Sequence, residues 1–149
     1  MAESDDQDAD EPPVRVDVEL FIVHPSMSPE EITAALRLQP HIVHPYGAPR
    51  MAPNGTVLRG TYPDTRWRHS IRYELKGQWF ASKVTELVDS LVPYKAFFHH
   101  LRATGGTAEI LVQFLGDGYL GDSLPSETLE KMSTLQLDFG IECFVVPQS

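Results

Sequence analysis

The chain has 149 residues and a formal net charge of −9, with 42% hydrophobic and 22% charged residues. This composition is that of an ordinary single domain, and the length suits one hydrophobic core that folds without a metal. The single cysteine excludes an intramolecular disulfide, and no apolar run approaches the roughly 20 residues that cross a bilayer. The opening residues lack the basic and apolar regions of a signal peptide, so we expect a cytoplasmic protein with no membrane segment.

Residues 1–13 form an acidic segment that ends in Pro12-Pro13. The segment contains six Asp and Glu residues and no Lys or Arg, so it supplies −6 of the net −9. Like charges with nothing apolar to bury favour disorder. The sequence therefore predicts a disordered tail over residues 1–13 and a single domain over residues 14–149.

The first half of the domain begins with a strand and a helix. Residues 14–23 are rich in alternating β-branched residues, which is typical of a strand. Residues 28–31 supply an N-cap serine, a proline in the first turn and an acidic N3 residue, which predict a helix start. Residues 40–64 contain five prolines and three glycines, which indicate a loop with short extended pieces. Within this loop, Asn54-Gly55 favours a tight hairpin turn.

The second half of the domain alternates strands with helices. Residues 66–75 alternate aromatic or apolar residues with charged ones, as in a strand with one buried face. Ser82 can cap a helix that Pro93 breaks or kinks. Further patterns predict a strand over residues 108–115, a helix over 125–135 and a last strand over 139–146.

These elements favour a two-layer α+β sandwich. Strands with one face buried and one exposed suit a mostly antiparallel sheet that carries helices on one face. A doubly wound parallel sheet would need continuous apolar runs instead. A ferredoxin-like β-α-β-β-α-β core extended by one α-β unit would use all of the elements.

A glycine-rich motif follows the strand over residues 108–115. Gly116, Gly118 and Gly121 read G-x-G-x-x-G. A dinucleotide site needs the third glycine inside the helix, so that the helix N-terminus points at the pyrophosphate. Here residues 122–125 separate Gly121 from the first secure turn of the predicted helix. We therefore interpret the motif as a polar turn and expect no cofactor.

The histidines and the cysteine give no clear metal or nucleophile signal. His41 and His44 form an H-x-x-H, but Cys or carboxylate partners at a local spacing are missing, so we expect no metal site. The adjacent His99 and His100 straddle a helix boundary, and His69 is read as a core or cap residue. Cys143 falls on an apolar strand face and is interpreted as a small hydrophobe that packs there.

One basic surface stands out on this acidic chain. Residues 50–76 hold half of the chain's cations, with six Lys and Arg against two acids. Arg66, Arg68 and Arg72 share a strand face, where like charges repel unless carboxylates or a bound anion offset them. Glu74, acids on neighbouring strands or the tail could neutralise the arginines, and an anion or an acidic protein could bind them. Nucleic acid is not expected, because the chain is acidic and lacks a recognised motif.

The sequence resembles a bacterial family. Residues 29–33 read Pro-Glu-Glu-Ile-Thr and are followed by Leu36, Leu38 and Gln39-Pro40, which is similar to the opening of the DUF4279 family. A tryptophan before a strand, a helix broken by proline and a final helix that runs into a strand also resemble its layout. The last strand departs from the family's acidic-aliphatic-tyrosine ending, since residues 141–144 read Ile-Glu-Cys-Phe. The resemblance implies a domain of uncharacterised function and carries over no catalytic residue.

Two functional hypotheses follow. The first is a non-catalytic binding module, accessory or immunity-like, that holds an acidic protein or a small anion through the arginine-bearing strand and the proline-rich loop. The second is an enzyme for a small anionic substrate, with the arginines as a clamp and His41, His44 or His69 as general base. No triad spacing supports the enzyme, so it ranks second, and a homodimer is expected from general frequency alone. The expected contact residues of the module are Arg59, Arg66, Arg68, Arg72, Tyr46 and Trp67.

Overall fold

The protein is described by a computed structural model over residues 15–74, 80–116 and 121–144. The predicted tail and the middle of the glycine-rich turn lie outside these ranges. A short 3-10 turn, Val92–Tyr94, separates two of the helices. The elements are β1 (Arg15–His24), α1 (Pro29–Leu36), β2 (Ile42–His44), β3 (Pro49–Met51), β4 (Val57–Thr61), β5 (Thr65–Glu74), α2 (Phe80–Leu91), α3 (Lys95–Ala103), β6 (Thr107–Leu115), α4 (Ser126–Thr134) and β7 (Leu137–Phe144).

Helix α1 begins where its capping signal predicts. The backbone N–H of Glu31 donates to Oγ of Ser28 at 3.2 Å, so the serine satisfies one of the unpaired amides of the first turn. Pro29 occupies the first turn, where its missing N–H costs nothing. The helix ends at Arg37, which adopts a left-handed conformation with φ of 56°.

The five main strands form one sheet in the order β2-β5-β1-β6-β7. Strand β1 is antiparallel to both β5 and β6, β2 is antiparallel to β5, and β7 is parallel to β6. Strands β3 and β4 pair only with one another in the described residues, as a separate hairpin. The predicted α+β class with a mostly antiparallel sheet is confirmed.

The helices connect the strands in two ways that bear on the expected ferredoxin-like core. Strands β5 and β6 flank β1 and run parallel to one another, and α2 and α3 connect them, which is a split β-α-β unit. The last α-β unit extends this arrangement, because α4 returns the chain to an edge position beside β6. Strand β7 therefore lies at the end of the sheet, parallel to β6.

The hydrophobic core lies between the sheet and its helices. Alternate residues of β1 and β6 point into this layer, and Trp67 of β5 is fully buried. Helix α2 covers them with one apolar stripe, and Pro93 then interrupts the helix as predicted, because proline cannot continue the backbone ladder. Within the described ranges, no helix combines the length and apolar character that crossing a bilayer requires. Fully buried members are Val16, Val18, Leu20, Ile22, Ile32, Trp67, Val84, Val88, Ile110 and Val112.

The expected burial of the last strand is wrong. Leu137 is buried, but Ile141 is 53% exposed and Cys143 is exposed. An edge strand has a neighbouring strand on only one side, and here the burial fades after the first residue of β7. Cys143 is therefore an accessible thiol rather than a small hydrophobe in a packed face.

The ends of the glycine-rich motif agree with a turn. Gly116 adopts a φ of 147° at the end of β6, and its N–H donates to the carbonyl of Phe144 at 3.2 Å. Gly121 lies outside any helix, and α4 starts five residues later at Ser126. The third glycine is therefore not part of a helix N-terminus, as a dinucleotide site would require.

Candidate partner-binding surface

The arginines of β5 lie on the sheet face opposite the helices, as predicted. Arg72 is held by Asp17 on β1, since its Nε donates to Oδ1 at 2.9 Å and its Nη2 to Oδ2 at 3.2 Å. These hydrogen bonds, together with the charge of Asp17, raise the pKa of Arg72. Arg66 also pairs with a carboxylate, since its Nε lies 3.2 Å from Oδ1 of Asp64.

Arg68 is fixed at the centre of this face. Its Nη1 donates to Oε2 of Glu19 at 3.4 Å, and its guanidinium carbon lies 4.2 Å from the centre of the Phe21 ring. Glu19 is only 6% exposed, and its second oxygen accepts a hydrogen bond from Oγ of Ser70 at 2.7 Å. Each of the three arginines Arg66, Arg68 and Arg72 pairs with a neighbouring carboxylate, so the protein itself neutralises their positive charges.

Two expected contact residues have opposite environments. Trp67 lies in the core with no exposed surface, and its Nε1 donates to Oγ1 of Thr33 at 3.0 Å. Tyr46 is 56% exposed, and its backbone N–H donates to Oγ1 of Thr65 at 3.0 Å. Tyr46 is therefore available to a partner, whereas Trp67 presents nothing to one.

Residues 42–61, named the arm here, project from the edge of the sheet. Strand β2 fixes the arm to β5, and the ring of His44 stacks on Tyr62 with 4.5 Å between centroids. The hairpin turns at Asn54-Gly55 as predicted, because Gly55 adopts a φ of 88° and Oδ1 of Asn54 accepts from the N–H of Thr56 at 3.0 Å. Every residue of β3 and β4 is exposed.

The arm combines two cations with exposed apolar side chains. Arg50 and Arg59 are both exposed, and neither forms an ion pair with any residue in the described part of the chain. The arm contains no Asp or Glu, so its formal charge is +2 on a chain of −9. Six large apolar side chains of the arm are at least 40% exposed, namely Ile42, Val43, Tyr46, Met51, Val57 and Leu58.

The histidines near this surface have structural partners. Nδ1 of His41 accepts from the N–H of Ser70 at 2.9 Å, and Nδ1 of His69 donates to the carbonyl of Gln39 at 2.7 Å. His44 lies opposite Arg66 in the β2–β5 register and is the one candidate base beside an arginine on the same face. In the ranges that the structure describes, no group of three or more His, Cys, Asp or Glu side chains could hold a metal.

The sequence did not predict a second group of exposed apolar side chains. It lies at the opposite end of the sheet from the arm, on β7 and α4. The alternation of β7 resembles that of a half-buried strand, and only the strand order reveals that β7 is an edge. Its members, with exposures of 36% to 53%, are Leu129, Phe139, Ile141 and Phe144.

The open face also has an acidic half. Glu109 on β6 is partly buried, and this burial raises the pKa of its carboxyl, with smaller contributions from Asp138 and Glu142 on β7. Gln113 donates to Oε2 of Glu142 at 3.1 Å. The face therefore runs from paired arginines on β5 to carboxylates on β6 and β7.

The family of the chain is clear from comparison with known proteins. The family described as "Domain of unknown function (DUF4279)" matches residues 13–145, which is nearly the whole chain. Searches of curated proteins and of solved structures find no significant match. The family match agrees with the resemblance of the first helix and of the proline-broken helix. The chain therefore belongs to the DUF4279 family.

Proposed function

We propose that this protein is a non-catalytic binding module, accessory or immunity-like, that holds an acidic partner protein in the cytoplasm. The arm carries the proposal, because it combines exposed apolar side chains with two cations that form no ion pair with any described residue. Large apolar side chains collected on one segment of a protein surface indicate an interaction site. Arginine and aromatic residues are also the side chains that dominate binding energy at protein interfaces.

The partner's chemistry follows from the charge distribution. The arm is formally +2 whereas the whole chain is −9, so an acidic partner is repelled by most of the molecule and attracted at the arm. An arginine that has no carboxylate neighbour can bind a carboxylate of a partner without breaking an existing ion pair. Among the described residues Arg50 and Arg59 meet this condition, whereas Arg66, Arg68 and Arg72 would each have to leave Asp64, Glu19 or Asp17.

The supporting experiment compares two double variants with the same charge change. Arg50→Glu/Arg59→Glu reverses the arm, and Arg37→Glu/Lys95→Glu reverses two exposed cations outside it that likewise have no ion pair in the described residues. Each purified protein is used to capture partners from a native lysate of the source cell, with quantitative mass spectrometry. The arm variant should lose the acidic proteins that the wild type captures, and the control variant should keep them.

The salt dependence of capture provides an independent check. Binding through Arg50 and Arg59 should weaken as the ionic strength rises, because exposed charges are screened beyond roughly 10 Å at 0.1 M salt. Recovery of the same proteins by the arm variant and the wild type would contradict the proposal. A captured protein that is basic would contradict its electrostatic part.

The enzyme hypothesis keeps one supporting observation. His44 lies opposite Arg66 across β2 and β5, so a base and a cation share one face of the sheet edge. A small anion bound there should raise the melting temperature by several degrees at 100 times its dissociation constant. A thermal-shift screen of phosphorylated and carboxylated metabolites tests this, with His44→Ala and Arg66→Ala as the variants that should lose the shift.

A further inference from the structure

Strand β7 leaves a long backbone edge at one end of the sheet. Its eight residues pair with β6 on one side, and no described strand pairs with the other side. The strand contains neither proline nor lysine, two of the residues with which natural proteins block such edges. The opposite edge is different, because β2 has only three residues and is flanked by Pro40 and Pro45. The β7 edge is thus the one suited to pairing with another strand.

The apolar side chains beside this edge belong to both layers of the fold. Phe139 and Ile141 are in register with Ile110 and Val112 of β6, whose side chains are buried on the helix face. Helix α4 contacts α2 through a hydrogen bond between Thr128 and Thr85. Leu129 follows Thr128 by about 100° around the helix, on the side away from the Lys131–Asp89 ion pair that also joins α4 to α2. Leu129 therefore borders the same edge as Phe139 and Ile141.

The charges on β7 are compatible with a second copy of the strand. In an antiparallel pair with its two-fold axis at Ile141, Asp138 lies opposite Phe144 and Glu142 lies opposite Gly140, so no like charges meet directly. Both acids are also held by their own subunit. Asp138 contacts Nη2 of Arg102 at 3.4 Å, and Glu142 accepts from Gln113 at 3.1 Å.

We propose that the protein forms a two-fold symmetric homodimer by antiparallel pairing of β7 with β7 of a second copy, with Leu129, Phe139 and Ile141 packing beside the joined strands. The two five-stranded sheets then become one ten-stranded sheet. A self-complementary edge of this kind is an isologous interface, the commonest symmetry of soluble oligomers. One edge of eight residues lies near the lower limit of about 1,000 Å² for a specific interface, so the dimer dissociates at micromolar concentrations.

The dimer would make the proposed binding module bivalent. Strand β2 and the arm lie at the end of the sheet that is far from β7, so the dimer carries one arm at each end. Ten strands at about 4.8 Å spacing separate the arms by roughly 45 Å. A partner with two acidic sites at that distance would bind with higher avidity than either site alone. This consequence rests on the proposed function, whereas the dimer itself does not.

Sedimentation velocity of the full chain across roughly 1 to 100 µM tests the dimer. The wild type should shift from monomer to dimer over this range. Ile141→Lys places a charge at the centre of the interface and should weaken the dimer at least about tenfold. Val92→Lys is the matched control, because Val92 is 43% exposed on the 3-10 turn, outside both apolar groups, and its variant should dimerise like the wild type.

Three other outcomes would overturn the proposed dimer. A wild type that stays monomeric at the highest concentration overturns the proposal. A dimer that Val57→Lys abolishes while Ile141→Lys leaves it intact also overturns it, because the arm is then the interface. Should Ile141→Lys fail to fold by circular dichroism, Leu129→Lys on the helix decides alone, and an undiminished dimer overturns the proposal. Partner capture is not used in this assay, so its result is separate from that of the arm experiment.

Discussion

Nε2 of His24 lies 2.8 Å from Oγ1 of Thr104, and the two side chains join the end of β1 to the end of α3. The other ring nitrogen, Nδ1, accepts hydrogen bonds from the backbone N–H groups of Ser26 and Met27 at 3.0 and 2.8 Å. Since Nδ1 accepts twice, the proton of the neutral ring is on Nε2, which donates to Thr104. His24 is 4% exposed and fixes the turn that leads into α1.

This arrangement predicts a pH dependence of stability. Burial lowers the pKa of His24 below its ordinary value of 6.5, and His100 lowers it further, while Glu31 opposes both. Below pH 6.5 the unfolded chain therefore binds more protons at this residue than the folded chain does. Above pH 6.5 His24 makes its full contribution to the stability of the folded state, and this contribution is lost as the pH falls toward the pKa of His24 in the folded protein.

Urea unfolding at pH 7.5, 6.5 and 5.5 measures this effect, and His24→Gln is the control. The variant should be less stable at pH 7.5 and should show a shallower decline than the wild type. Parallel decline of the two proteins would contradict the assignment, because the other histidines would then account for the whole dependence.

Gly106→Ala should destabilise the fold by about 1 to 3 kcal/mol. A Cβ at this position would lie 2.8 Å from Cδ2 of His24, 2.9 Å from Cγ of Leu101 and 3.0 Å from the Leu101 carbonyl. Both side chains are buried, so neither can move aside without disturbing the core. Thermal unfolding by differential scanning calorimetry provides the measurement, and an unchanged melting temperature would show that this junction can relax.

Thr33→Val should cost about 1 to 3 kcal/mol, because it leaves the indole N–H of the fully buried Trp67 without its acceptor. The valine has nearly the same shape, so lost packing contributes little. Thr33→Ser keeps the hydroxyl and should lose less stability than Thr33→Val. An unchanged stability of Thr33→Val in urea unfolding would contradict the role of this hydrogen bond, and a larger loss for serine than for valine would show that packing of the methyl group matters more.

Glu19→Ala should destabilise the protein by about 1 to 3 kcal/mol, because it removes a buried acceptor of two hydrogen bonds. It also releases Arg68 from the sheet face. Glu130→Ala is the control, since Glu130 is exposed on α4, and its variant should unfold like the wild type. A double-mutant cycle with Arg68→Ala should give a coupling energy, and strictly additive effects would argue against the pair.

Local sequence signals determined the elements of this protein. Ser28 and Pro29 start a helix, Pro93 interrupts one, and Asn54-Gly55 turns a hairpin, because each acts through its own backbone and nearest neighbours. The alternation along β5 likewise separated Trp67 from the arginines beside it. These effects span a few residues, so the sequence alone contains the physical cause of each one.

The strand order, which only the tertiary structure decided, set the character of both surfaces. Asp17 and Glu19 neutralise arginines about fifty residues away because β1 lies beside β5, and no spacing along the chain indicates that neighbour. Cys143 and Ile141 are exposed because β7 is an edge, although their alternation matches that of a half-buried strand. The sequence determined which side chains share a strand face, and the pairing of distant strands determined which of those faces are neutralised, buried or left open.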